Sequence, residues 1–191
     1  MIHCCGIQNE DKENIVKTKL LAAATIAAMT SGFANAATFG VGDTLPAASV
    51  EDGGMAFVVD GKVDYKEWST THVDTSGTVV ILAKAGRAGV AEMVTNEFSA
   101  KLDAQANVIS IVNKDDSAFG TGMFVEGAIE EGMLKNPEGQ VVLDREGDLF
   151  SEWELEEESA AVIIVKDGTV AYFHEGALDA AEEQNILELA K

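Results

Sequence analysis

The turn after the first long apolar run carries the side chains best suited to bind an anion. Lys84 and Arg87 supply positive charge, and Gly86 and Gly89 let the backbone turn and expose its N–H groups. Such groups at the start of a helix bind phosphate and carboxylate. The turn has no nucleophile and is not a complete phosphate-binding motif. It predicts a site for an anion or a C-terminal carboxylate, or else a simple tight turn whose Arg87 pairs with a nearby acid.

Two acidic side chains, Asp115 and Asp116, follow the second apolar run and lie close to Asn113 in the chain. Their oxygens are the ligands that a hard cation such as calcium prefers. They lack the D-x-D-x-D-G spacing and the bidentate glutamate of a calcium loop, which favours a solvated turn. The sequence therefore predicts no cofactor, with Asp115 and Asp116 as weak metal candidates.

Beyond residue 36 the chain has two histidines, His72 and His174. Neither is accompanied by a G-x-S-x-G elbow that would frame a nucleophile. His174 falls in a predicted hairpin strand, which favours a structural or surface role. A non-thiol hydrolase that uses His174, or a metal at the aspartate loop, is the alternative enzymatic hypothesis.

The N-terminal residues predict an exported protein. Lys17 and Lys19 precede an apolar run over 20–29, and small residues then lead to an A-x-A cleavage site at 34–36. The run is too short to span a membrane. We expect cleavage after Ala36 and export of the rest of the chain, with no membrane span remaining. The acidic residues before position 15 do not suit a signal peptide, so Val16 is the expected translation start.

Cleavage would also remove both cysteines, Cys4 and Cys5, and leave 155 residues without a thiol. That length suits one domain. Of 13 Lys and Arg and 33 Asp and Glu, three of each lie in the leader, which leaves 10 against 30 and a net charge of −20. Such a field repels nucleic acid and anionic lipid. We interpret the charge mainly as a solubility device, with a cationic partner as the alternative.

An acidic run near the C-terminal third has the period of a strand. Glutamates at 152, 154, 156, 157 and 158 are interleaved with Trp153 and Leu155. The alternation predicts a half-buried edge strand whose charges discourage pairing with other strands.

Apolar spacing and turn residues predict the elements that must position these side chains. Asp60-Gly61 and Asp167-Gly168 are turn pairs typical of β-hairpins. The predicted order is a hairpin (57–68), a strand (79–82), a helix (90–102), a strand (107–112), a helix (123–134), an inserted short hairpin (141–153), a second hairpin (161–173) and a helix that begins at Asp179. A βαβ unit followed by a helix, a hairpin and a final helix predicts a thioredoxin-like three-layer α/β sandwich.

Five segments carry a resemblance to a known family. They are AGR (85–87), IVNKDD (111–116), GTGMFV (120–125), WELEEESAAV (153–162) and KDGTVAYFHEGAL (166–178). Together they resemble the YtfJ family of small exported bacterial proteins. The resemblance implies a periplasmic thioredoxin-like protein whose role is not established. The opening FGVGDTLP also resembles the entry segment of peroxiredoxin and thiol-disulfide reductase domains.

Measured against redox-active thioredoxins, the chain lacks both signature elements. Gly86-Arg87-Ala88-Gly89 takes the place of the C-x-x-C motif, and 159–161 takes the place of the cis-proline. In this fold three segments would converge at one sheet edge, and they predict a ligand-binding site that comprises Lys84, Gly86, Arg87, Gly89, Asn113 and Ser159. The leading hypothesis is a redox-inactive binding or adaptor module for an envelope protein or peptide. Thiol oxidoreductase activity would require the leader to be retained.

Overall fold

The computed structural model of the protein describes residues 37–191. The predicted signal peptide, the cleavage site, Val16, Cys4 and Cys5 lie outside the described residues. Across 37–191, no helix combines the length and apolar character that crossing a membrane requires.

One mixed sheet of seven strands organises residues 37–191. The strands are β1 (Ser49–Val59), β2 (Lys62–Ser69), β3 (Thr78–Ala85), β4 (Asn107–Asn113), β5 (Gln140–Asp144), β6 (Ala160–Lys166) and β7 (Thr169–Glu175). The helices are α1 (Val90–Met93), α2 (Asn96–Asp103), α3 (Gly122–Lys135), α4 (Asp148–Trp153) and α5 (Ala180–Leu189). The strand order is β2-β1-β5-β4-β3-β6-β7. Strands β3, β4 and β5 are mutually parallel, and the outer strands join them antiparallel.

Side chains of the central strands alternate between two apolar layers, as the pleat requires. On β3, Ile81 faces a layer formed with Phe39, Trp68 and Trp153, and this layer includes helix α4. Its neighbour Leu82 faces the opposite layer, which packs under α2 and α5. On β4, Val108 belongs to the layer under α2, and Val112 packs with the cluster under α3. These two positions point the same way, so α2, α3 and α5 cover one face and α4 covers the other.

The predicted thioredoxin-like α/β sandwich and N-terminal hairpin are confirmed. Strand β1 pairs with β2 around Asp60 and Gly61, both of which have positive φ. The C-terminal helix begins after Asp179, whose carboxylate accepts the N–H groups of Ala181 and Glu182. Glu182 returns a bond to the N–H of Asp179, which completes a capping box.

The predicted inserted hairpin over 141–153 is wrong. Strand β5 is parallel to β4 inside the sheet, and residues Asp148–Trp153 form helix α4. The buried carboxylate of Asp144 accepts the N–H groups of Asp148 and Leu149 at 3.0 and 3.1 Å, which starts the helix. The predicted acidic edge strand is wrong for the same reason, because Glu152 lies in α4 and Glu154 ends it in the left-handed region at φ 52°.

The helix predicted over 90–102 is two helices. Val94 is buried and extended, and Thr95 accepts the N–H of Phe98 at 3.2 Å as the N-cap of α2. Two β-branched residues in sequence disfavour a continuous helix, and threonine is a preferred N-cap.

Replacing Thr95 by alanine is expected to lower the free energy of unfolding by about 1 kcal/mol, because α2 loses its cap. Serine keeps the capping oxygen and should cost less than about 0.5 kcal/mol. Urea denaturation followed by circular dichroism measures both variants. Equal costs for alanine and serine would show that this hydroxyl does not cap the helix.

Candidate functional site

The three segments predicted to converge do meet at the carboxyl ends of β3 and β4. The N–H of Gly86 donates to the carbonyl of Asn113 at 2.7 Å, and the N–H of Ala85 donates to the carbonyl of Ser159 at 2.9 Å. Gly86 allows this approach because a Cβ there would lie 2.8 Å from the Asn113 carbonyl oxygen. The turn after β3 is therefore bonded on both sides to neighbouring loops.

Arg87 is engaged by carboxylates of the protein itself. Its Nε donates to Oδ1 of Asp116 at 2.8 Å and to the Asp116 carbonyl at 3.1 Å, and its Nη1 lies 3.1 Å from Oε1 of Glu158. The other oxygen of Asp116 accepts the N–H of Glu158. The hydrogen bond that Arg87 donates to Asp116 is the main reason that the pKa of Arg87 is raised. Asp116, whose side chain is 8% exposed, thus ties three loops together.

Arg87, Asp116 and Glu158 form an ion cluster that reduces the positive charge available at the predicted anion site. An external anion at Arg87 would have to compete with Asp116 and Glu158 for the guanidinium. Gly89 precedes α1, which is only four residues long, and the N–H of Gly86 is already used. The tight-turn alternative, in which Arg87 pairs with a nearby acid, describes these contacts.

Asn113 and Ser159 lie beneath the cluster as buried supports. Asn113 is 5% exposed, and its Oδ1 accepts the N–H of Asp116 at 3.2 Å. Ser159 is 6% exposed and holds the turn through its carbonyl. Both residues shape the loops and present little side-chain surface to a ligand.

The metal and histidine candidates do not assemble into a catalytic group. Within 37–191, no cluster of three or more histidine or carboxylate side chains could hold a metal ion. Both oxygens of Asp116 are engaged, and Asp115 is exposed. His174 contacts Glu182 through Nδ1 at 3.3 Å, and Nδ1 of His72 accepts the N–H of Ser69. These contacts give both histidines a structural role.

Lys84 points away from the ion cluster into a groove between α2 and α3. Its Nζ donates to Oγ of Ser99 on α2 at 3.3 Å. Burial lowers the pKa of Lys84, and Asp103 on α2 partly offsets that effect by its charge. Burial also raises the pKa of Asp103. The groove has a volume of about 1130 Å³, and Lys84, Arg87 and Asp103 are among the charged residues that line it.

An apolar rim lies at the same end of the sheet as the ion cluster. It consists of Phe119, Met123 and Phe124, which are 106%, 72% and 70% exposed. Phe119 lies in the loop that carries Asp116, and the other two begin helix α3. Phe124 also lines the groove. These three large apolar side chains lie within six positions of one another in the sequence.

Sequence reasoning missed this apolar rim and the role of Glu158. A signal for the rim was present, since Phe119 interrupts an otherwise polar loop. The direction of the Lys84 side chain also had a signal in the sequence. Lys84 shares its face of the strand with Leu82, which packs under α2. No signal in the sequence indicated the contact between Asp116 and Glu158, because it joins residues 42 positions apart.

The fold and this edge define a thioredoxin-like protein whose first core strand leads into a glycine–arginine turn. The structure is similar to the thioredoxin domain of a thiol-disulfide oxidoreductase from Bacteroides vulgatus, with a TM-score of 0.52 and 15% identity over 79% of this chain and 97% of that one. It is also similar to a reduced 2-Cys peroxiredoxin from Plasmodium vivax, with a TM-score of 0.50 and 14% identity over 78% and 81%. At these identities the likeness shows the fold alone.

Residues 39–191 match the family described as "Bacterial protein of unknown function (YtfJ_HI0045)", and the chain belongs to this family. It is 32% identical to "Uncharacterized protein YtfJ" of Escherichia coli K12, over 82% of this chain and 88% of that protein. It is 28% identical to an uncharacterized protein of Haemophilus influenzae, over 76% and 82%. The resemblance noted from the sequence is confirmed.

Proposed function

We propose that this protein is a redox-inactive, thioredoxin-like binding or adaptor module of the bacterial envelope. The observation that carries the proposal is the apolar rim, which exposes Phe119, Met123 and Phe124 at the sheet edge where the loops converge. Ligands of open α/β sheets bind beyond the carboxyl ends of the strands, which is where this rim lies. The rim offers a partner an apolar surface without offering it a reactive group.

The absence of thiols from residues 37–191 supports the redox-inactive part of the proposal. Disulfide exchange requires attack by a thiolate, and the Gly86–Gly89 turn has no sulfur with which to attack. A periplasmic location rests on the leader, and the intact mass of the protein from a periplasmic extract tests it. A mass that begins at Ala37 is expected, and a mass that includes Cys4 and Cys5 would contradict both parts.

Charge next to the apolar rim indicates the chemistry of the partner. The loop that carries Phe119 is bonded through Asp116 to the acidic turn at Glu158. The net charge of −20 adds a long-range attraction for cations. A partner segment that combines an apolar anchor with basic side chains fits both features.

A defined peptide pair tests this binding surface. A short synthetic peptide of alternating Phe and Arg should bind the protein, and its twin with Glu in place of Arg should not. Replacing Phe119 by serine should weaken binding on the order of tenfold, since exposed aromatic anchors dominate interfaces. Raising the salt to about 0.5 M should also weaken it, because the charge attraction is screened. Fluorescence anisotropy of the labelled peptides measures all three effects.

The matched control is Val59→Ser, which removes an apolar side chain that is 46% exposed at the end of β1. This variant should bind the Arg peptide as the wild type does. Equal binding of the Glu peptide, or wild-type affinity in Phe119→Ser, would remove the basis of the proposal. An acceleration of insulin reduction by the cleaved protein would contradict its redox-inactive part.

A further inference from the structure

The groove between α2 and α3 is a second feature, which the apolar rim does not explain. It follows β4 from Val112 at the loop end to Asn107 at the opposite end of the sheet. These six strand residues correspond to about 20 Å. Its volume of about 1130 Å³ slightly exceeds the upper end, about 1,000 Å³, of ordinary small-molecule sites. The apolar lining includes Val90, Val94, Val108, Val112, Phe124, Val125, Ile129 and Met133.

The backbone around the groove leaves an extended peptide with few hydrogen-bond partners. Strand β4, which forms the floor, is paired with β3 along one side and with β5 along the other. Much of the wall is formed by α1 and α3, whose N–H and C=O groups bond largely within the helix, and loop residues close the two ends. Because unpaired polar groups are costly against an apolar surface, a hydrocarbon chain suits the stretch between these ends better than peptide backbone does. One acyl chain is about 15 Å long, half the hydrocarbon thickness of a bilayer, so it fits along β4.

Lys84 offers a ligand positive charge in this groove, whose polar lining also includes Arg87, Asn96, Asp103, Asn107, Ser110, Thr121, Asn136, Glu138 and Gln140. Its ammonium donates to Ser99, and within residues 37–191 it has no carboxylate within 4.0 Å. An ammonium has three donors, so two remain for a ligand. Asp103 also lines the groove and balances the charge of Lys84 without pairing with it. Arg87 is held by Asp116 and Glu158, which leaves Lys84 to bind a single negative charge.

We propose that the groove binds one acyl chain with a carboxylate head group, and that Lys84 contacts the carboxylate. The chain lies along β4 between α2 and α3. Asp103 opposes this binding by its charge, so we expect substitutions of Lys84 and Asp103 to change the affinity in opposite directions. This site shares Phe124 with the apolar rim, but it does not depend on the proposed function.

Calorimetric titration of the protein, purified from a bacterial host that expresses the full chain, tests the proposal with defined probes below their micelle concentrations. Laurate should bind one to one, and dodecyl maltoside and dodecyltrimethylammonium should bind at least on the order of tenfold more weakly. Lys84→Met should weaken the binding of laurate on the order of tenfold and leave the binding of the maltoside unchanged. Asp103→Asn should tighten the binding of laurate. Higher salt should strengthen laurate binding, because it screens the repulsion between the acidic protein and the carboxylate. The same salt should weaken the binding of the Arg peptide.

Two matched controls separate the groove from general surface effects. Ala128→Trp fills the groove and should abolish laurate binding, whereas Glu130→Trp, on the same helix but outside the groove, should not. Lys101→Met removes an exposed lysine that pairs with Glu97 and should leave binding unchanged. Thermal unfolding confirms that each variant is folded. The proposal would be overturned if laurate failed to bind, or if its binding survived Ala128→Trp or Lys84→Met. It would also be overturned if the maltoside bound as tightly as laurate, or if dodecyl phosphate bound more tightly.

Discussion

Replacing Asp116 by alanine is expected to lower the free energy of unfolding by about 2 kcal/mol, because one change breaks the links among three loops. The carboxylate accepts the Nε of Arg87 at 2.8 Å and the N–H of Glu158, and its side chain is 8% exposed. Hydrogen bonds to charged groups contribute more than neutral ones. The guanidinium of Arg87 would keep its bond to the backbone carbonyl of residue 116 and its contact with Glu158, whose side chain is 63% exposed.

Asp115→Ala provides the control for this experiment, because Asp115 is adjacent and exposed. It should change stability by less than about 0.5 kcal/mol. Hydrogen exchange adds a local readout, since the amide of Glu158 should exchange faster in Asp116→Ala than in the wild type. Unchanged exchange at Glu158 and equal stability of the two variants would show that Asp116 does not hold the loops together.

Replacing Asp144 by alanine is expected to cost about 3 kcal/mol, the largest effect predicted for a single side chain in this protein. The side chain is fully buried, and it accepts the N–H groups of Asp148 and Leu149. Its loss leaves the buried N–H of Leu149 unpaired at the start of α4. That helix places Leu149, Phe150 and Trp153 in the core, so its loosening would expose apolar surface. Chemical denaturation with tryptophan fluorescence follows this change at Trp153.

The pH dependence of Asp144→Asn gives an independent test, because asparagine keeps the shape of the side chain and cannot ionise. Burial raises the pKa of Asp144 above its ordinary value of 3.8. The native state therefore binds this proton at higher pH than the unfolded state, and the contribution of Asp144 to stability falls as pH rises through that interval. Relative to the asparagine variant, the wild type should gain stability as pH is lowered from about 7 toward 4. A constant difference between the two proteins would contradict the raised pKa.

Local sequence signals predicted the strands well, and tertiary contacts decided what they missed. The hairpins were readable because Asp60-Gly61 and Asp167-Gly168 specify tight turns. Helix α4 was missed because it is six residues long and its cap, Asp144, belongs to the preceding strand. The break before α2 had a readable signal in Thr95, which the apolar period of the longer segment obscured.

The candidate site also combines features that the sequence predicted with features that depend on tertiary contacts. Convergence of the turn after β3 with Asn113 and Ser159 followed from where strands end in this fold, and the backbone bonds bear it out. The engagement of Arg87 depended on side chains from two distant loops, which no spacing rule specifies. The direction of Lys84 was encoded in the alternation of β3, since Val80 and Leu82 share its face. The apolar rim was readable only at Phe119, because the exposure of Met123 and Phe124 depends on how α3 packs on the sheet.

The close approach at Gly86 also determines which positions of the Gly86–Gly89 turn could accept an introduced cysteine. Any side chain at position 86 would place its Cβ 2.8 Å from the carbonyl oxygen of Asn113, and real Cβ contacts essentially never fall below 3.0 Å. A cysteine introduced at the first position of the Gly86–Gly89 turn would therefore force β3 and β4 apart at their ends before any sulfur chemistry began. Gly89, at the other end of the same turn, presents no such obstacle, because an added Cβ there has no neighbouring atom within 4 Å.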